Sequence, residues 1–527
     1  WQLTVMDDLW LGCWGLIRSL VPSPRNHAVL PPLPGVPVDD LSGDGRTPRN
    51  RHVPDRPHGE VEHENGRPAL QPSGNPRVSW PGGTVREYVV VAQRHEHPYA
   101  GNALTDPWGL IYRRAADVEA ELGPDEEGDD REETGQGVRR TGNLRAVEVE
   151  DTDQPLVLRA HPGEWVRILL VNEVLLPGDE GTGSRRVAYA DPELPDFGPE
   201  VSPPRLPVEH RDHLGYPDRR TVSPRVSLHP SLLRYDVVGD DGAYVGRNHD
   251  STVAALDTGD HAGVVHGGHG EENAVVHRND HGIGHRDPNW REYWWYVDEQ
   301  LAPAPAAEGG RGQVCYLFDM GDIRNHRHHG LIGALVVEPE DVEPVGPADP
   351  EKEQWSGPHA HLRDGTGEVV AQEHVLFLQD GLRHFVRGDI DQPLPDISPS
   401  DPPVNVGQKA ISYRSPLTPT RRPMAAGAWP TPIITAAREL PIWLRLVCAG
   451  DKPRNHTFTL HGFAWNAAPW VADGPRTGSV GAISAGFAQD LVMTPENRWD
   501  PGDHAYRSGA FRWAVTQGMW GILRIED

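Results

Sequence analysis

At 527 residues with 57 Gly and 52 Pro, the chain exceeds one core and predicts two or three domains joined by many turns. Its formal charge of -27 excludes nucleic acid and anionic membranes as favoured partners. No apolar run reaches 18 residues, so no membrane span is expected, and long 3.6-period runs are scarce, which favours β-sandwiches over helical bundles. The three cysteines, Cys13, Cys315 and Cys448, are too far apart for a CxxC motif or a readable disulfide framework.

In chain order, residues 1–20 read as the end of an element rather than as a leader, and the chain is expected to be a fragment or processed piece. Gly12-Cys13-Trp14-Gly15-Leu16-Ile17-Arg18 matches Gly518-Met519-Trp520-Gly521-Ile522-Leu523-Arg524, a closing strand of the form G-x-W-G-(I/L)-(I/L)-R. A weaker copy stands at Gly330–Leu335. Residues 1–20 are therefore expected to close a preceding domain, and residues 21–80, rich in Pro, Gly and Asp, to be a linker.

The first body, 81–340, opens with the strand Val85–Val91. Pro155–Ala160 and Trp165–Leu170 flank the turn His161-Pro162-Gly163-Glu164 and predict a strand pair, whereas acidic residues 117–150 predict an exposed insertion. Val314–Phe318 and the apolar run Gly330–Val337 predict adjacent antiparallel strands around a polar loop that carries His326, His328 and His329. The second body, 341–527, repeats the plan with His374–Leu378 and Leu440–Val447.

The succession P-G-E-W-V-R-I-L-L-V-N (162–172), S-L-H-P (227–230), W-Y (295–296) and G-L-I-G-A-L-V-V-E-P (330–339) resembles a cupredoxin domain of the multicopper oxidases. Asn455–Trp465, Pro501-Gly502-Asp503 and the closing G-M-W-G-I-L-R-I extend the resemblance into the second body. The layout is most similar to large multi-domain bacterial members, of ceruloplasmin-like or manganese-oxidising type. The resemblance implies an all-β fold of tandem cupredoxin-like Greek-key sandwiches. It also implies copper as cofactor, and oxidation of a metal ion or phenolic substrate coupled to oxygen reduction. Neighbouring cupredoxin domains or a partner chain are expected to complete the protein, and an extracellular or cell-surface location follows by analogy.

Laid on the family's copper motifs, this chain keeps few ligands. The first H-x-H falls on His229 with one imidazole left, and the second on Phe318-Asp319-Met320 with none, though His326, His328 and His329 follow in the same loop. The third keeps His456 and His461 around Thr459, and the fourth, H-C-H, falls on Ser508-Gly509-Ala510. A type 1 copper needs two imidazoles and a thiolate; Cys315 is three residues off the ligand position and on the opposite strand face. Cys13, Cys448 and Met519 read as core. The candidate metal ligands are thus His229, His326, His328, His329, His456 and His461, and the isolated chain is expected to be weak or inactive as an oxidase.

Two other features stand beside these. His261, His266, His269, His277, His281 and His285 form a Gly-rich tract, read either as a solvated loop or as an opportunistic metal binder. Asp236 and Asp240-Asp241-Gly242 read as a turn or a divalent-ion loop. No G-x-S-x-G, P-loop or H-E-x-x-H occurs, so no catalytic side chain is assigned. Three functions stay open: a multicopper oxidase segment, a non-catalytic cupredoxin scaffold, and a histidine-rich copper-binding module.

Overall fold

Strand β11 (Gln313–Phe318) shows how this chain builds its layers. Val314, Tyr316 and Phe318 point to one face, Cys315 and Leu317 to the other, and all five are buried. A strand buried on both faces reads as a continuous apolar run rather than an alternating one. The two faces belong to different cores: Cys315 and Leu317 to the interior of a first sandwich, the other three to the seam between two sandwiches.

The computed structural model describes residues 83–100, 102–107, 109–120, 144–174, 225–235, 240–242, 251–253, 289–322, 326–352, 354–382, 384–387, 389–393, 408–415, 432–450, 455–467, 474–495, 498–510 and 514–527. Among them every element is a strand or a short 3-10 turn, and no helix is long and apolar enough to cross a membrane.

The first sandwich contains β1 (Val85–Arg94), β2 (His97–Tyr99), β3 (Leu104–Asp106), β4 (Leu110–Ala120), β5 (Leu144–Val149), β6 (Leu156–Ala160) and β7 (Trp165–Glu173). It continues with β8 (His229–Pro230), β9 (Arg234–Tyr235), β10 (Trp290–Tyr296), β11 and β12 (Ile332–Val337). Its sheets run β5-β4-β1-β7-β10-β9 and β6-β12-β11-β8. The second sandwich contains β13 (Val342–Val345), β14 (His359–Asp364), β15 (Val369–Leu382), β16 (Phe385–Val386), β17 (Asp389–Pro393), β18 (Gln408–Ile411), β19 (Ile433–Ala437) and β20 (Ile442–Cys448). The rest are β21 (His456–Leu460), β22 (Trp465–Asn466), β23 (Arg476–Thr477), β24 (Ser479–Ile483), β25 (Ala488–Met493), β26 (Gly502–Arg507) and β27 (Trp520–Glu526). Its sheets run β13-β14-β15-β20-β25, with β18 on β15, and β19-β27-β26-β21-β24.

The two bodies share one connectivity. β1 lies parallel to β7 as β15 does to β20, and β6 parallel to β12 as β19 does to β27. The antiparallel partners also match, β10 with β25, β11 with β26 and β8 with β21. This is an all-β pair of tandem Greek-key sandwiches. The closing strands β12 and β27 occupy the same place, so the repeat at 330–335 and 518–524 is structural; Gly12–Arg18 lies outside the described residues.

Three apolar layers alternate with four sheets. Val90, Ile168, Leu228, Trp295 and Leu335 fill the first sandwich, and Leu376, Leu446, Phe458, Tyr506 and Met519 the second. Between them Val157, Tyr316, Ile332 and Val336 meet Val375, Phe377 and Val447. Each such side chain contributes about 1.5–3 kcal/mol when fully buried, so the seam is a core in its own right. A small sheet, β17-β16-β3-β2, ties the sandwiches together at one end, Phe385 lying opposite Thr105.

Two expectations are corrected. β6 and β7 do not pair: β6 joins β12 and β7 joins β1 and β10, so His161–Glu164 arches from one sheet to the other, with Gly163 at φ 79°. Apolar strands on either side of a tight turn look alike whether they form a hairpin or an arch. The acidic stretch 117–150 is not wholly an insertion, because its ends belong to β4 and β5, which pair from Ala115–Val149 to Ala120–Leu144. The antiparallel pairing of Val314–Phe318 with the run after Gly330 stands as read.

Candidate functional site

Immediately after β11, Asp319 is fully buried and accepts three hydrogen bonds. Its Oδ1 takes the Ser227 amide at 2.7 Å, and its Oδ2 takes the Asp322 amide at 2.7 Å and Nδ1 of His326 at 2.9 Å. A carboxyl group is tolerated away from water only when its oxygens find donors in this way. The bond also fixes the His326 tautomer, with the proton on Nδ1. His326, buried at 0% exposure, thus opens a single 3-10 turn, His326–His329, whose polar side chains fold inward.

The same pairing recurs twice. His329, at the end of that turn, donates Nδ1 to Oδ2 of Asp106 on β3 at 2.9 Å. Between the two sheets of the second sandwich, His456 at the start of β21 donates Nε2 to Oδ2 of Asp380 on β15, also at 2.9 Å. Burial pushes the Asp380 carboxyl up, but the His456 bond and the ammonium of Lys409 outweigh it and hold it well below the carboxylate range. His328, half-buried, adds to the same field. Three candidate histidines from the sequence are therefore held by three different carboxylates.

Around these pairs lie imidazoles that the sequence did not single out. His384, beside β16, stacks on Tyr99 with ring centroids 4.0 Å apart, and neither ring nitrogen has a hydrogen-bond partner. Burial, with Lys409 opposing Asp106, pushes its pKa down to about 3. His97 donates Nε2 to the Leu110 carbonyl at 2.8 Å and stacks on Tyr413 at 4.3 Å; burial, helped by His95, lowers it to about 4. On β14 and β15, His359 and His374 face each other with Nδ1 atoms 2.9 Å apart, one donating to the other, so the accepting ring is neutral. Burial holds His359 at about 4 and His374 well below its usual value.

The remaining candidates lie apart. His229 on β8 donates Nδ1 to the Asp241 carbonyl and sits between Tyr235 and Phe318, with centroids at 5.6 and 4.9 Å; burial lowers its pKa to about 4. Asp240-Asp241-Gly242 forms the turn that meets it, Gly242 having φ 65°. His461 is exposed on the far side of the second sandwich, where its Nε2 accepts from Arg507 Nε at 3.2 Å. The His261–His285 tract and Asp236 lie outside the described residues.

These residues do not fit a type 1 copper. Cys315 lies inside the first core at 0% exposure, where burial pushes its thiol far up and disfavours the thiolate that a copper ligand must be. Cys448 and Met519 belong to the second core. Nor do His229, His456 and His461 converge, and among the described residues no group of three or more His, Cys, Asp or Glu side chains could hold a metal ion. What the geometry does provide is a set of buried imidazole–carboxylate pairs that pin the loop after β11 to itself and to β3, and join the two sheets of the second sandwich.

A signal for the carboxylates was present. Asp106 ends β3, Asp319 directly follows β11 and Asp380 lies near the end of β15 (LTD, YLFD, LFLQD), and an acid in or beside such a run requires a buried partner.

No family model matches the chain, and no curated protein does. Among solved structures, a copper nitrite reductase from Nitrosomonas europaea is similar over 84% of this chain and 95% of its own, at 10% identity and TM-score 0.40. A multicopper oxidase is similar over 84% and 90%, at 10% identity and TM-score 0.38. The blue copper oxidase from Nitrosomonas europaea follows, over 84% and 86%, at 12% identity and TM-score 0.37. Likenesses of this size assign neither a ligand nor a reaction to this chain.

Proposed function

We propose that the chain is a segment of a copper oxidase of the multicopper type, in which these two sandwiches are scaffold and copper is held by neighbouring domains. The motif resemblance and the repeated Greek-key connectivity support descent from that family. The observation that carries the scaffold reading is Asp319. In the loop where the family's motif would place imidazoles, a carboxylate stands and takes His326 as its own hydrogen-bond partner. An imidazole held by a carboxylate can still serve a metal through its other nitrogen, but here the other ligands of a type 1 site are a buried thiol in a different layer and a core methionine.

The whole polypeptide then oxidises a metal ion or a phenol with oxygen as acceptor, while this segment alone turns over neither. The test is absorption spectroscopy of the copper-loaded chain, with oxygen consumption on a phenolic substrate and on Mn(II). The reading predicts no thiolate-to-copper charge-transfer band and no oxygen uptake above free copper. A band accompanied by turnover would overturn it.

A further inference from the structure

One pair of imidazoles is held by no carboxylate, only by each other. His359 on β14 lies directly opposite His374 on β15. The Val375 amide donates to the Pro358 carbonyl at 2.7 Å, one residue beyond each, so the two histidines occupy a non-hydrogen-bonded pair. At such a pair the strands come closest, with Cα atoms about 4.5 Å apart, and facing side chains meet. The rings do meet: their Nδ1 atoms are 2.9 Å apart, with centroids at 5.1 Å and planes at 62°.

As packing alone, this pair is unfavourable. The next residues on that face of β15, Leu376 and Leu378, belong to the second core, whereas His374 brings a buried Nε2 that no hydrogen bond satisfies. Such an atom costs about 1–3 kcal/mol, which an apolar residue would avoid. The pair has a chemical use that a leucine lacks. Metal–imidazole bonds are about 2.0–2.1 Å long, so two ligands at right angles on one ion stand about 2.9 Å apart. The separation of these Nδ1 atoms therefore suits adjacent positions on a tetragonal or octahedral ion as well as it suits a hydrogen bond.

The surroundings admit a cation. At neutral pH burial keeps both rings uncharged, as metal ligands must be. The cations that act on His359 are Arg159 and Arg414, and each is already matched, Arg159 by Glu338 and Glu373 and Arg414 by Asp153. His361, next on that face of β14, is half-buried and makes no group of three with the pair, so solvent supplies the remaining ligands. Solvent has a way in, because β13 pairs with β14 only from Asp364 back to His361, and the half-buried His359 lies beyond the end of that edge strand.

We propose that His359 and His374 chelate one divalent transition-metal ion of the imidazole-preferring kind, copper(II) or nickel(II), through their facing Nδ1 atoms. Chelation needs both lone pairs, so the single proton between the rings leaves to solvent. The ion clips β14 to β15 across their closest approach. Neither histidine stands in a copper motif of the family resemblance, and the site needs no neighbouring domain, so it holds whether or not the oxidase reading does.

Hydrogen exchange, read by mass spectrometry on the 527-residue chain, tests this with nickel(II) as the probe. A metal held only by the closed strands slows their opening in proportion to its saturation, whereas histidines solvated in every state add nothing. At ten times its half-saturating concentration, nickel should slow exchange at the Val375 amide and its neighbours on β14 and β15 about tenfold in the wild type. Magnesium(II), which takes oxygen ligands, should not. In His359→Gln, nickel should leave these amides unchanged. Should His359→Gln itself speed exchange there without metal, His359→Phe, which keeps a ring at the strand edge, replaces it under the same criteria. No slowing in the wild type, or slowing that survives in the variant, would overturn the proposal.

Discussion

Arg159 of the first sandwich and Glu373 of the second form an ion pair across the domain seam, with both side chains at 1% exposure or less. Arg159 also holds Glu338 at 2.5 Å, while Arg445 holds Glu373 and Asp490 at 2.8 Å each. Two guanidinium groups thus serve two buried carboxyls and the half-buried Asp490. Burial and the neighbouring Glu373 push Glu338 up to about 7 despite Arg159 and Arg445, so Glu338 takes the proton. Burial also raises Glu373, but the same two arginines outweigh it and keep Glu373 ionised.

Breaking this cluster from one side should be costly. Arg159→Ala leaves Glu373 and Glu338 with Arg445 as their one remaining arginine, and removing one member of a buried pair typically costs about 3–5 kcal/mol. Urea denaturation should show that loss, with the sandwiches unfolding in separate steps. Arg159→Met together with Glu373→Leu should recover much of it, because replacing a buried pair by apolar groups is often neutral.

The buried neutral imidazoles set the acid limb of stability. His97, His229 and His359 have folded pKa values near 4 and His384 near 3, against 6.5 in the unfolded chain. Below pH 6.5 the unfolded state binds more protons, so their contribution is complete above pH 6.5 and is lost as pH falls towards 4. Glu338 acts oppositely: its contribution is complete below pH 4.5 and is lost as pH rises through 7. Denaturation midpoints should therefore fall on both sides of a near-neutral optimum. His384→Phe, which keeps the stack on Tyr99, should flatten the acid limb and leave the alkaline one unchanged.

Asp319 is the larger determinant of its loop. Asp319→Ala strands the Ser227 and Asp322 amides and the His326 imidazole, a loss of about 3 kcal/mol for charged hydrogen bonds inside a core. Asp319→Asn keeps one acceptor and should lose about half as much. Hydrogen exchange at Ser227 and Asp322 should accelerate most in the alanine variant.

Gly330 is fixed by both backbone and space. Its φ is 109°, and a Cβ there would stand 2.3 Å from His97 Nε2 and 2.5 Å from the Leu110 carbonyl. Gly330→Ala should cost about 2 kcal/mol or more and disturb the His97 bond, which a calorimetric melt and the His97 ring resonances would report.

Strand runs such as VCYLF and the repeated closing motif made the fold legible, because apolar strands and their turns follow local rules. Which strands share a sheet was not legible: β6 and β7 look like a hairpin until β12 and β1 claim them. The site was half-legible. His326, His329 and His456 were singled out as candidate metal ligands, yet their partners Asp319, Asp106 and Asp380 come from as far as 223 residues away in sequence. His97 and His384 carried no motif, and only the meeting of the two sandwiches buries them together.

The central claim is that the candidate imidazoles of this segment work as hydrogen-bond partners of carboxylates rather than as copper ligands. Copper content by mass spectrometry, after loading and desalting, tests it most directly on the wild-type chain and on a His326→Gln, His329→Gln, His456→Gln variant. The account predicts the same retained copper in both proteins, with the variant less stable. Tightly held copper in the wild type that disappears in the variant would contradict it.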